Sequence, residues 1–209
     1  MKVACIIPAY NEERTIKEII DVVKQVDLID EIIVVSDGSK DQTVSISKKA
    51  GAKVIENKIN KGKGAALKIG IDSSDSDIFT FLDADLVGLK KEHVIDLLMP
   101  VLNDEADMSV GIFKSGRIAT NLAQKVAPNL SGQRTIKRQL IEEIENIDIT
   151  RYGVEIALTK IAQKRNYRTK NVFLDNLTHV MKEEKLGLRK GFKARLKMYW
   201  EIAKCLKME

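Results

Sequence analysis

An alternation constrains the fold most. From residue 2 to 113, apolar stretches of strand length alternate with amphipathic stretches of helix length. "KVACII" (2–7) reads as a buried strand ended by Pro8. A helix follows from about Glu12 to Gln25, with Ile16, Ile19, Ile20 and Val23 on one face. "EIIVVS" (31–36) is a second strand, and "DGSKDQ" a turn in which Ser39 is placed to cap a helix running to about Ala50. Gly51 closes that helix, and "AKVIE" is a third strand. "NKGKGAALKIGIDSS" opens as a glycine-rich loop and continues as a helix, and "DIFTFL" (77–82) is the fourth strand. A helix over 90–102 and a strand "DMSVGIF" complete the series. Helical crossovers at this spacing return the chain to the same end of the sheet, so the strands pair in parallel and are buried on both faces. The expected class is α/β, a mostly parallel central sheet with helices on both faces.

Beyond residue 113 the pattern loosens. "KSGRIATNLAQKVAPNLSGQR" is polar and broken, and reads as an acceptor-facing segment. A helix is expected over about 151–165, "TKNVFLD" is a late strand, and 189–207 read as a basic amphipathic helix. The net charge is +5, and residues 186–209, with seven Lys/Arg against two acids, account for all of it. A neutral body with a basic tail argues against a nucleic-acid-binding protein. No apolar run reaches the ~18 residues of a membrane span. The N-terminus turns acidic too soon for a signal peptide. Two distant cysteines, Cys5 and Cys205, suggest no disulfide framework and fit a reducing cytoplasm.

"FTFLDADL" places Asp83 and Asp85 at the end of an apolar strand. Strand side chains alternate faces, so Asp83 and Asp85 point the same way. Two unit charges about 4 Å apart repel by about 4 kcal/mol at an effective dielectric near 20. A bound divalent cation, a raised pKa or exposure to solvent would relieve this. A carboxylate pair suits Mg²⁺ or Mn²⁺, and ligands of open α/β sheets bind beyond the carboxyl ends of strands. The alternative is a turn-capping Asp83 beside a solvated Asp85.

The remaining strand ends are "PAYNEE", "SDGSKD" and "NKGKG". The first lacks the G-x-G-x-x-G of a dinucleotide site, and "NKGKGAA" does not match a Walker P-loop. Together, "IIPAYNEE", "VVSDGSKDQT", "NKGKGAAL" and "FLDADL" resemble glycosyltransferase family 2 with its GT-A fold. "GRIATNLA", "LSGQRTIKRQLIEEI", "RYGVEIAL" and "LTHVMKEE" are similar to glucosyl-3-phosphoglycerate synthases and polyprenyl-phosphate glycosyltransferases.

The resemblance implies roles. Pro8, Ala9, Tyr10 and Glu12 match the segment that holds the base and ribose of a nucleotide-sugar donor. Asp37 matches the aspartate that reads the uracil edge, although Ser36 stands where many relatives carry a second acid. Lys63 matches a lysine near the base and phosphates. Asp83 and Asp85 match a D-x-D pair whose second member ligates the metal bridging the diphosphate, and His179 matches a histidine completing that metal shell. An imidazole beside two carboxylates favours Mn²⁺ over Mg²⁺. Glu155 matches an acid near the donor sugar, and Arg117 an arginine contacting an acceptor phosphate, but the threonine two positions beyond that arginine is replaced by Ala119. His93 reads as structural.

The implied protein is a cytoplasmic, metal-dependent glycosyltransferase. It moves a hexose from a nucleotide sugar, a UDP-sugar, to a phosphorylated small molecule or lipid acceptor. Residues 1–188 form the GT-A domain, with a donor half at 1–113 and an acceptor half at 114–188, and 189–209 form a basic helix. Phe192, Leu196, Tyr199, Ala203 and Leu206 fall on one face of that helix. It suits peripheral contact with an anionic inner membrane face, packing on the body, or a homodimer contact. A sugar-phosphate nucleotidylyltransferase and a non-catalytic nucleotide-binding relative are the rival readings.

Overall fold

A computed structural model describes residues 1–114, 131–143 and 154–180. Seven strands form one sheet: β1 (Val3–Ala9), β2 (Glu31–Asp37), β3 (Lys53–Asn57), β4 (Ile78–Phe81), β6 (Met108–Lys114), β7 (Arg134–Lys137) and β8 (Thr169–Asp175). Their order is β3-β2-β1-β4-β7-β6-β8. β7 runs antiparallel to β4 and β6, and the other pairings are parallel. A two-stranded ribbon joins β5 (Leu86–Val87) to β9 (Thr178–His179). The helices are α1 (Ile16–Val23), α2 (Thr43–Lys49), α3 (Lys63–Asp72), α4 (Lys91–Leu102), α5 (Arg138–Glu142) and α6 (Val154–Lys164).

The apolar side chains of β1 alternate between two cores. Val3, Cys5 and Ile7 pack with Ile16, Ile19, Ile20 and Val23 of α1 and with Val94, Leu97 and Leu98 of α4. Ala4 and Ile6 pack with Ala66, Leu67 and Ile71 of α3 and with Leu140, Val154 and Leu158 from α5 and α6. This two-sided burial is what an apolar parallel strand requires. Burial also pushes the Cys5 thiol up, which leaves it un-ionised.

Several boundaries differ from the sequence reading. Pro8 does not end the first strand but lies inside it, opposite Val35 of β2. The Ile6 carbonyl accepts from Leu82 N–H on the β4 side, and by alternation the Pro8 nitrogen faces that side too, beyond the last β1–β4 pair. Its missing N–H therefore costs no ladder bond. Helix α2 is started by Asp41 rather than Ser39: the Asp41 carboxylate accepts from Thr43 N–H at 3.0 Å and from its hydroxyl at 2.5 Å. Burial opposes ionisation of Asp41, but these bonds outweigh it and hold its pKa below the ordinary value. The Ser39 hydroxyl instead accepts from Asn11 N–H. His93 caps α4, its Nδ1 accepting from Lys90 N–H at 3.2 Å. "RTIK", read as loose, is strand β7, and it separates β4 from β6 so that these two strands do not touch. The segment 115–130, with Arg117 and Ala119, and the basic helix 189–209, with Cys205, lie outside the described residues.

A charge cluster at the amino-terminal edge of β6 sets the register of the last three strands. The Asp107 carbonyl accepts from Lys137 N–H, and Asp107 N–H donates to the Arg168 carbonyl. Its carboxylate takes Arg168 N–H at 2.9 Å, the guanidinium at 2.9 Å and the Lys137 ammonium at 2.9 Å. The Arg168 hydrogen bonds, aided by Lys137 and opposed by burial, hold the Asp107 carboxyl far below the usual range. A carboxyl depressed in the folded state contributes stability above its unfolded pKa and loses it as pH falls through the folded value. Asp107→Asn is expected to cost about 1 kcal/mol at pH 7. The difference from the parent, read as urea midpoints, should shrink steadily on titration from pH 5 downward.

Candidate active site

The carboxyl ends of β1, β2 and β4 face one edge of the sheet. Their loops are stitched together there by hydrogen bonds. Asn11, with φ +57°, accepts from Lys40 N–H through its side chain, and Glu12 N–H donates to the buried Thr43 hydroxyl at 2.8 Å. Glu13 N–H donates to Asp41, and the Glu13 carboxylate accepts from Gln42 N–H. The loop after β1 therefore cannot move without the loop after β2.

Asp37, at the end of β2, is 4 % exposed. Its carboxylate accepts from Lys61 N–H at 3.0 and 3.1 Å, from Gly62 N–H at 2.7 Å and from the Asn57 amide at 3.2 Å. These bonds fix the glycine-rich loop that precedes α3. Gly38 follows with φ +80°, and a Cβ there would stand 2.8 Å from Asn60 N, so the two loops approach too closely for any side chain. The expected base-reading aspartate thus spends its acceptor positions on the protein's own loop.

Lys63 is the first residue of α3, as its place after the glycine-rich loop suggested. Its ammonium lies 2.5 Å from Asp83 Oδ1 and 2.6 Å from Glu155 Oε1, in the first turn of α6. Burial opposes this charge, but the two carboxylates outweigh it and raise the Lys63 pKa. Asp83 is the mirror case: burial pushes its pKa up, and Lys63 above all brings it below the ordinary value, against the repulsion of Asp85. Of the three routes for relieving the aspartate pair, a raised pKa on Asp83 is therefore not used.

The two aspartates converge for a different reason from the one inferred. β4 ends at Phe81, so Asp83 and Asp85 lie in the turn beyond it and not along a strand face. That turn is anchored through its middle: the buried Thr15 hydroxyl donates to the Ala84 carbonyl at 2.6 Å. The ribbon then pairs Leu86 with His179, and Val180 N–H donates to the Asp85 carbonyl. This register sets His179 Nδ1 3.0 Å from Asp85 Oδ1, with the imidazole tilted against Phe113 at 4.8 Å between ring centres. Burial works against protonation of His179, but the Asp85 hydrogen bond and both aspartates together raise its pKa. Asp83, Asp85 and His179 each offer a ligand atom, and these atoms lie within 4.8 Å of one another. Two carboxylates and an imidazole are a donor set for Mn²⁺ or Mg²⁺.

Around this centre, Ala9 is buried, Glu12 is half-buried and Tyr10 is 48 % exposed at the end of β1. Pro8 lies within the strand, and Arg117 is outside the described residues. Sequence reasoning missed Thr15, Thr43, Gly132, Gln133 and Arg134. The last two are buried polar residues at the start of β7, in the "LSGQR" stretch, and the polar sequence around them carries no apolar run that would have marked them. Arg134 donates to the Ser131 carbonyl at 2.9 Å and to the Thr159 hydroxyl on α6 at 2.9 Å. Burial brings its pKa down to about 10, against the pull of Glu155.

Known proteins resemble this chain in sequence and fold. The model of glycosyl transferase family 2 matches residues 4–193. A glucosyl-3-phosphoglycerate synthase of Petrotoga mobilis is 32% identical over 202 residues, covering 78% of this chain and 62% of that protein. A dolichol-phosphate mannosyltransferase of Pyrococcus furiosus is 28% identical, covering 69% of this chain and 49% of the other. A crystal structure of the Mycobacterium tuberculosis glucosyl-3-phosphoglycerate synthase, in complex with Mn²⁺, UDP-glucose and phosphoglyceric acid, superposes with a TM-score of 0.75 at 27% identity, covering 96% of this chain and 79% of that one. The chain spans about three fifths of the length of the synthases it matches in sequence. With a family match across nearly the whole chain and this fold, the protein is a member of glycosyl transferase family 2 with a GT-A architecture.

Proposed function

We propose that the chain is a divalent-metal-dependent glycosyltransferase that moves a hexose from a UDP-sugar to a phosphate-bearing acceptor, 3-phosphoglycerate being the first candidate. One observation carries the reading: Asp83, Asp85 and His179 converge beside Lys63 at the amino end of α3, on the carboxyl edge of the parallel strands. The synthase of similar fold binds Mn²⁺, UDP-glucose and phosphoglyceric acid, which supports the donor and acceptor classes.

In this reading residues 1–113 form the donor half and 114–188 the acceptor half of one domain. Asp85 and His179 hold the cation, with Asp83 alongside. When bound, the cation acts as a Lewis acid that neutralises the charge developing on the diphosphate leaving group. Tyr10, Glu12 and the loop held by Asp37 frame the nucleotide, and Pro8 and Ala9 set the floor of that frame. Lys63 adds positive potential at a helix amino terminus, and Glu155 stands across it on the sugar side. Arg117 is assigned to the acceptor phosphate. Among the described residues no helix is long and apolar enough to cross a membrane, so a lipid-borne acceptor would be met through the basic 189–209 segment.

Calorimetric titration should show UDP binding with Mn²⁺ and at least tenfold weaker binding in EDTA, with GDP poor in both; tighter GDP binding would overturn the donor assignment. Asp85→Asn should abolish the Mn²⁺-dependent part of UDP affinity, because a charged ligand is replaced by a neutral amide. For the acceptor, transfer of labelled glucose from UDP-glucose to 3-phosphoglycerate is expected. Transfer only to polyprenyl phosphate in vesicles would move the assignment to lipid acceptors.

A further inference from the structure

The stretch Ser131-Gly132-Gln133 has no part in the function proposed above, yet it lies directly on the Lys63–Asp83 pair. Gln133 is fully buried, although it carries an amide. Its Nε2 donates to Asp83 Oδ2 at 2.9 Å, and its Oε1 accepts from the Ser131 hydroxyl at 3.2 Å. The carboxylate, which only accepts, decides that Nε2 is the end that faces it, and the Ser131 hydroxyl donates to the other end. Its backbone is fixed as well, the Gln133 carbonyl accepting from Gly111 N–H of β6 at 2.8 Å.

Gly132 shows how close the approach is. A Cβ at that position would stand 2.4 Å from Lys63 Nζ and 2.6 and 2.8 Å from the two Asp83 oxygens. Only a residue without a side chain lets the backbone lie over the ion pair. Asp83 is consequently gripped at both oxygens, Oδ1 by Lys63 and Oδ2 by Gln133. A carboxylate held at one oxygen can still turn about its last torsion, which is broad and two-fold. Held at both, it presents one orientation towards Asp85 and His179.

We propose that Gln133 is a positioning residue that fixes the Asp83 carboxylate for cation binding, with Gly132 leaving the room this requires. Partners that orient metal-site carboxylates affect affinity nearly as much as the ligands do. The proposal rests on the metal-dependent reading above, so its test separates the two.

Gln133→Met keeps the length of the side chain and removes the donor. Mn²⁺ affinity without nucleotide, read from the paramagnetic resonance of free Mn²⁺, is expected to fall roughly 10- to 100-fold. The Mn²⁺-dependent UDP affinity should fall in parallel, while UDP affinity in EDTA and the melting temperature in EDTA stay near the parent values. Parent-like Mn²⁺ affinity in the variant overturns the proposal, and so does an equal loss of UDP affinity in EDTA, which would mark a general structural defect. If the parent itself takes up no Mn²⁺, the functional reading fails. Crystal structures of parent and variant then decide the role of Gln133: a turned Asp83 carboxylate supports it and an unmoved one overturns it. Should Gln133→Met not fold, Ser131→Ala frees the far end of the amide and is expected to lower Mn²⁺ affinity in the same direction by a smaller factor. Unchanged affinity there overturns the proposal.

Discussion

The Lys63 ammonium is the contact on which the site depends. It starts α3, touches Asp83 in the turn after β4, and touches Glu155 on α6, 92 residues further along the chain. The His179–Asp85 contact is the second link at this edge between the donor loops and the later part of the chain. Removing one member of such a shielded group leaves the others with charges they cannot place, so the arrangement is kept together by the cost of its disruption. It also explains why Asp83 can remain a carboxylate beside Asp85 and next to a core. The counter-charge comes from Lys63 on one side and, when it is protonated, from the imidazole of His179 on the other.

The topology delivers these groups. An antiparallel strand inserted into a parallel sheet presents its amino end where its neighbours present their carboxyl ends. β7 does this, and so Ser131, Gly132 and Gln133 arrive at the ligand edge while the following Lys137 arrives at the opposite edge, in the Asp107 cluster. β8 continues past Asp175 into the ribbon that carries His179 back to Asp85. The second part of the chain therefore completes the sheet and the candidate metal site together.

Much of this was legible in the sequence, for reasons that differ by element. The β1-to-β6 alternation was visible because buried parallel strands are apolar throughout and their helices carry a clear face, as Ile16, Ile19, Ile20 and Val23 do. Asp83 and Asp85 stood out because paired charges at the end of an apolar strand have few structural reasons to be there, and Lys63 because it follows a glycine-rich loop at a helix start that matches the family motif. β7 was hidden: four residues, "RTIK", two of them basic, give no period, and the buried Arg134 guanidinium is received by Thr159 on α6 and by the Ser131 carbonyl, partners that no local pattern marks. The cap of α2 was misassigned because Ser39 and Asp41 are both capping residues by type, and only the packing of Asn11 against the loop decides between them. Asp37, read as the start of a turn, is the last residue of β2, and its bonding to Lys61 and Gly62 is a long-range event that no local pattern encodes.

The charge balance of the site carries the argument one step further. Among the described residues, Asp83, Asp85 and Glu155 contribute three carboxylates, and Lys63 and Arg134 two fixed cations, with His179 able to add a third only when protonated. Lys63 is already shared between two of the carboxylates, and Arg134 is turned towards Thr159 and the Ser131 carbonyl. A diphosphate brought to this edge would therefore meet a centre with no surplus positive charge, and at an effective dielectric near 20 each close like-charge contact costs about 4 kcal/mol. A divalent cation seated by Asp85 and His179 reverses that sign, since it satisfies the aspartates and leaves positive charge for the phosphates. The ion pairs the protein makes with itself thus support the proposed metal dependence on grounds separate from the likeness to other enzymes.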